Sequence, residues 1–201
     1  MAREVDELVA ALRAGGAVLL PTDTVYGLCC DPFHREPVRA MARLKERDES
    51  QPVALLAADV DVLRECVPEL RGRASRLARR VLPGPYTLIL PNPAGRLPWL
   101  SGSNPGAIGV RVPELQPAVR AVVDGLGAVA ATSANLHGMA DPRGLDDVSG
   151  LIRSACAGEL DGGELPGTPS TVLDLTGPEP RVLREGAGDV AEALARLGPA
   201  R

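Results

Sequence analysis

Ala17-Val18-Leu19-Leu20-Pro21-Thr22-Asp23-Thr24-Val25-Tyr26-Gly27-Leu28 sets a short apolar strand, a polar turn and a second extended segment in direct succession. Parallel strands need a crossover of a dozen or more residues, so a connection this tight excludes a purely crossover-built sheet. Before this stretch, Val5, Leu8, Val9 and Leu12 recur at helical spacing, and Gly15-Gly16 ends that helix. After it, Pro37 suits a first helical position, with Val38, Met41, Ala42 and Leu44 along one face. Apolar runs predict strands over 52–56, 86–90, 108–112, 128–132, 171–175 and 181–184. Helices are predicted over 59–66, 69–81, 117–124 and 149–157, with Asp189 capping a last one through Leu197. Loops fall at 92–106, 135–144 and 162–169. The expectation is an α+β (mixed α/β) fold, a twisted parallel/antiparallel sheet flanked by helices, in one domain over 1–201.

Lys45 is the only lysine; the other 21 of the 22 basic residues are arginine. It sits in Leu44-Lys45-Glu46-Arg47, just past a helix, where a compact ammonium and a planar guanidinium offer different holds on an anion such as a phosphate. Lys45 and Arg47 would diverge on a regular helix, so they act together only if the helix has ended. Other polar segments border strands: 21–28, Arg111 within 109–113, Ser133 and Asn135 within 132–135, and Arg184 within 182–186. Binding groups collect at such strand ends. Arg111, alone in an apolar run, needs a wet cleft or a partner, Asp23 or Glu114.

The net charge of -4 argues against a surface built wholly for nucleic acid but permits a local cationic cleft. Aromatics at 2% leave little for base stacking. Four cysteines without a C-x-x-C pair, and only His34 and His137 beside them, do not make a structural zinc site and read as free thiols. The charged N-terminal stretch and the lack of an apolar run of about 18 residues predict no membrane span and a cytoplasmic protein. There is no G-x-G-x-x-G and no Walker-type loop. No Ser-His-Asp set is visible either, so the chemistry is expected to be electrostatic positioning rather than proton shuttling.

Taken together, 21–28, the K-x-R element Lys45-Glu46-Arg47, Leu82-Pro83-Gly84-Pro85-Tyr86-Thr87, Ser133-Ala134-Asn135-Leu136 and Pro169-Ser170-Thr171-Val172 resemble the YrdC-like family, the L-threonylcarbamoyladenylate synthases. The resemblance runs from about Gly16 to Gly186 and matches the short, single-domain form. It implies a nucleotidyltransferase that makes threonylcarbamoyl-adenylate and pyrophosphate from L-threonine, bicarbonate (or CO2) and ATP. The product would serve threonylcarbamoyladenosine modification of tRNA through a transfer complex. By resemblance, Thr24 and Arg111 meet threonine, Lys45, Arg47 and Ser133 hold phosphates, Asn135 orients them, and Gln51 and Arg184 attend the nucleotide. Ser170-Thr171 line the same cleft. ATP is expected to arrive with Mg2+, with no dedicated metal ligands assigned.

Departures from the family pattern are Asp48 where proline usually follows the K-x-R arginine, Leu56 where some relatives carry histidine, and Ala131 where some carry a hydroxyl. The last two leave room for a related carbamoyl- or acyl-adenylate enzyme with another amino acid. A non-catalytic RNA-binding module using the same cations is the other alternative.

Overall fold

The computed structural model describes residues 2–198; Met1 and residues 199–201 of the expected domain lie outside the described residues. The chain runs α1 (Ala2–Arg13), β1 (Val18–Pro21), β2 (Tyr26–Cys30), α2 (Arg35–Leu44), β3 (Ala54–Ala57), α3 (Val60–Cys66), α4 (Gly72–Val81) and β4 (Tyr86–Pro91). It continues through β5 (Ala107–Arg111), α5 (Pro117–Leu126), β6 (Ala128–Ser133), α6 (Gly150–Ala155), β7 (Gly158–Glu159), β8 (Thr171–Asp174), β9 (Arg181–Arg184) and α7 (Val190–Leu197). The described strands form one nine-stranded sheet in the order β7-β1-β2-β6-β3-β5-β4-β8-β9. It is mixed: β1–β2, β2–β6, β3–β6, β4–β5 and β8–β9 are antiparallel, while β1–β7, β3–β5 and β4–β8 are parallel.

The opening hairpin has the tight form its spacing requires, with Pro21 opposite Tyr26. Thr22 closes it: its hydroxyl donates to Val25 O at 2.7 Å and accepts from the backbone N–H of Thr24 and Val25. Pro37 stands third in α2, which begins two residues earlier than expected, at Arg35. Asp59, Ser149 and Asp189 each cap a helix with a side-chain oxygen, so α3 and α6 begin one residue later than their predicted spans.

Side chains alternate across the strands and feed two cores. On one face Leu19, Leu28, Leu55, Leu88 and Val110 pack with Val38 and Met41 of α2, Leu63 of α3, Leu77 and Val81 of α4, Ile152 of α6 and Leu197 of α7. On the other, Val18, Leu20, Cys29, Leu56 and Val129 pack with Leu8, Val9 and Leu12 of α1 and Val119, Val122 and Val123 of α5. The second cover draws on β1, β2, β3 and β6 only. In β4 the burial alternates, with Tyr86, Leu88 and Leu90 buried and Thr87, Ile89 and Pro91 partly open. That uncovered half-face is the floor of the candidate site.

Candidate active site

A cleft of about 430 Å³ opens on this half-face. Its floor is made of small or β-sheet residues: Gly27, Ala54, Gly109 and Ala131, with Thr87, Ile89 and Val172 alongside. A Cβ at Gly109 would meet Ile89 Cδ1 at 3.5 Å and Ala54 Cα at 3.8 Å, ordinary contacts. Packing therefore does not demand glycine here, and the missing side chain widens the cleft instead.

Lys45, Arg47, Gln51, Arg111, Ser133, Asn135, Ser170 and Arg184 all line this one cleft. Four of them are cations, and the lining holds no carboxylate, in a chain whose net charge is -4. The helix end brings the first two together. α2 stops with Lys45 at its C-cap, and Glu46 turns into the left-handed region at φ 54°. Arg47 N then closes on Ala42 O at 3.0 Å, and both basic side chains reach the same cavity.

Lys45 is 4% exposed and donates through Nζ to Ser133 O and to Asn135 Oδ1, the latter at 3.0 Å. Burial, reinforced by the neighbouring Arg47, lowers its ammonium to about 8, with Asp141 pulling the other way. Asn135 is the hinge of this corner. Its Oδ1 also accepts from Ser133 Oγ at 2.6 Å, and its amide donates to Met139 O. Arg47 is fixed by Gln51 Oε1, by Thr132 Oγ1 at 3.2 Å and by Pro52 O at 2.9 Å. Burial lowers its guanidinium too. Asp48 is exposed and turned to the loop, accepting from Ser50 N at 2.7 Å, so it does not enter the cleft. That bond also holds its carboxyl below the usual range.

Arg111 stands on the floor at the end of β5. Nη2 donates to Asp23 Oδ1 and Thr24 Oγ1, both at 2.5 Å, with Thr22 Oγ1 at 3.5 Å. Of the cleft and the two candidate partners, Arg111 has the cleft and Asp23 together; Glu114 instead donates its backbone N–H to the other Asp23 oxygen at 3.3 Å. Nε of Arg111 is buried with no hydrogen-bond partner. Thr24 is fully enclosed and outside the cleft lining, so its hydroxyl reaches the cavity only through Arg111; Thr22 is the turn hydroxyl that lines it. Leu56 is also outside the lining, packed in the core under α1 and α5 beside Arg111 in the β3–β5 register.

Arg184, on the edge strand β9, is held by Ser170: Nε and Nη2 donate to Ser170 O at 3.1 and 2.7 Å, and Nη2 to Ser170 Oγ at 3.3 Å. Thr171 lies outside the cleft lining; its buried hydroxyl donates to Gly188 O at 2.6 Å. Thr87, Thr132 and His137 line the cleft without having been singled out from sequence. Alternation within 86–90 carried a signal for the first, and Thr132 opens the polar segment 132–135; nothing local marked His137 as a cleft residue. Among the described residues no three of His, Cys, Asp or Glu gather into a metal-binding group, and no helix is long and apolar enough to cross a membrane.

The family model Sua5_yciO_yrdC, described as telomere recombination, matches residues 10–186. The threonylcarbamoyl-AMP synthase of Stenotrophomonas maltophilia (strain K279a) is 35% identical over 164 residues, 79% of this chain and 86% of that one. The crystal structure of P. abyssi Sua5 complexed with L-threonine aligns with a TM-score of 0.87 at 29% identity, over 98% of this chain. This chain spans 58% of that Sua5 chain's length. E. coli YciO aligns with a TM-score of 0.84 at 28% identity, over 96% of this chain and 94% of its own. The matched span takes in every cleft-lining residue named above, and the chain belongs to the YrdC/Sua5-like family.

Proposed function

We propose that this protein is a cytoplasmic L-threonylcarbamoyladenylate synthase, acting as one domain over residues 1–201. The observation that carries the reading is the convergence of Lys45, Arg47, Arg111 and Arg184 in one cleft whose lining has no carboxylate. Such a cavity suits two anions that must be brought together, a triphosphate and an amino-acid carboxylate.

Threonine's amine adds to CO2 and loses a proton, giving a carbamate. A carbamate oxygen attacks the α-phosphorus of ATP; the bond to the bridging oxygen breaks and pyrophosphate leaves with that electron pair. The protein holds and orients. Lys45, Arg47 and Ser133 take phosphate oxygens, with Gln51 and Thr132 setting the Arg47 fork and Asn135 setting Lys45 and Ser133. Arg184 closes over the nucleotide. Arg111 takes the threonine carboxylate, and Thr24, enclosed behind it, acts by orienting that guanidinium. Mg2+ comes as the counter-ion of the triphosphate. The product is passed to a threonylcarbamoyl-transfer complex for tRNA modification.

Pyrophosphate release with ATP, bicarbonate and single amino acids tests the reading. Threonine should exceed every other amino acid and show bicarbonate dependence. Equal signals with serine or others would replace the substrate. No release at all, with salt-sensitive RNA binding, would replace the enzyme by a binding module.

A further inference from the structure

Thr87 and Ser170 form a hydroxyl pair at the cleft floor, with Oγ atoms 2.8 Å apart. Ser170 is 4% exposed, and both residues line the cleft. Two hydroxyls carry two protons, and the contact between them uses one. Neither hydroxyl donates to any other protein group. One O–H is therefore uncommitted in a cavity whose nearby surfaces are Ile89, Gly109 and Val172. The pair thus presents the cavity with one free donor, on a floor otherwise short of them.

The direction of the pair follows from Arg184. The 2.8 Å contact fits either hydroxyl as donor; Nη2 of Arg184, donating to Ser170 Oγ at 3.3 Å, polarises the serine hydroxyl and makes it the better donor of the two, toward Thr87. Thr87 is then the group whose proton is left to point into the cavity. Its position says what it meets. Ile89 lies opposite Gly109 across the antiparallel β4–β5 pair, so Thr87, two residues earlier, and Arg111, two residues later, share the cleft face. Thr87 is thus on the same face as Arg111, whose Nε has no protein partner.

We infer that Thr87 is a substrate-binding residue that donates a hydrogen bond to the carboxylate of the amino acid held by Arg111, with Ser170 and Arg184 fixing the direction of its proton. The inference rests on the amino-acid-plus-ATP reading of the cleft.

The test uses Thr87→Val, which keeps the β-branched shape, Thr87→Ser, which keeps the hydroxyl, and Ser170→Ala. Threonine binding is measured by calorimetry without bicarbonate or ATP, alongside KM values for threonine and ATP. Thr87→Val should weaken threonine roughly ten- to a hundredfold, the range for a hydrogen bond to a charged group, and leave the KM for ATP unchanged. Thr87→Ser should recover most of that loss, and Ser170→Ala should lose less than Thr87→Val. Unchanged threonine affinity in Thr87→Val overturns the inference. So does a loss seen only with bicarbonate, which would move the contact to the carbamate, or a larger loss in Ser170→Ala. Wild-type protein that neither binds threonine nor releases pyrophosphate with it would instead overturn the functional reading, and this inference with it.

Discussion

The carboxylate of Asp23 and the guanidinium of Arg111 meet at 2.5 Å with only 11% of either side chain exposed. The pair ties the first hairpin to the end of β5, so one contact sets both a turn and a cation on the cleft floor. Burial pulls the Arg111 guanidinium below its ordinary value, and Asp23 opposes that pull. Removing one member of such a pair leaves the other charge buried and uncompensated. Asp23→Asn is expected to destabilise the fold by about 3 kcal/mol. At ~2–4 °C per kcal/mol for a chain of this size, the thermal midpoint should drop visibly. An unaltered midpoint would show that Arg111 does not depend on this partner.

Lys45→Ala is expected to abolish adenylate formation. Its thermal midpoint should shift little, because the two lost hydrogen bonds are offset by release from a buried charge, a net effect within about 1 kcal/mol. Lys45→Arg should also fail, since the enclosed slot between Ser133 O and Asn135 Oδ1 fits a point-like ammonium rather than a planar fork. A folded Lys45→Ala variant with full activity would remove Lys45 from the site.

Acidity offers an independent handle on the same residue. With its proton affinity lowered to about 8, Lys45 is charged below that pH and neutral above it in the free protein. Charge is what holds a phosphate, so kcat/KM for ATP should fall as pH rises through about 8, that ratio reporting the free enzyme. A profile flat from neutrality to well past that point would contradict the assignment.

Gly109→Ala should fold normally, because the added methyl would meet its nearest neighbour, Ile89 Cδ1, at 3.5 Å. Gly109→Leu should fold yet bind neither ligand well, because the longer side chain projects into the cavity floor. Circular dichroism for the fold and calorimetry for ATP and threonine separate the two outcomes. Retained binding in Gly109→Leu would mean that ligands sit elsewhere.

Strands and helices were legible wherever an apolar period lasted four residues or more. β7 was not: Gly158 and Glu159 pair with Val18 and Leu19 through backbone alone, and their side chains carry no strand signal. The K-x-R pairing was legible because a lysine and an arginine two residues apart can converge only past a helix end, and Glu46 supplies that turn. Which hydroxyl of the 22–24 turn faces the cavity was not legible. Thr22 and Thr24 are chemically alike, and only the closure of the hairpin encloses one and opens the other. Asp48 shows the converse: an acidic residue beside two cations looks disruptive until the loop commits its oxygen to Ser50. The floor of glycine and alanine was not legible in the sequence, because single small residues in separate strands form a surface only once β2, β3, β5 and β6 stand together in one sheet.

α1 and α5 shield only half of their face of the sheet, and the half over β4, β5 and β8 stays open. Thermal robustness and turnover consequently pull in opposite directions along that open half. Any engineered or inherited extension that laid an apolar helix over β4, β5 and β8 would harden the protein and, in the same act, seal its reaction vessel.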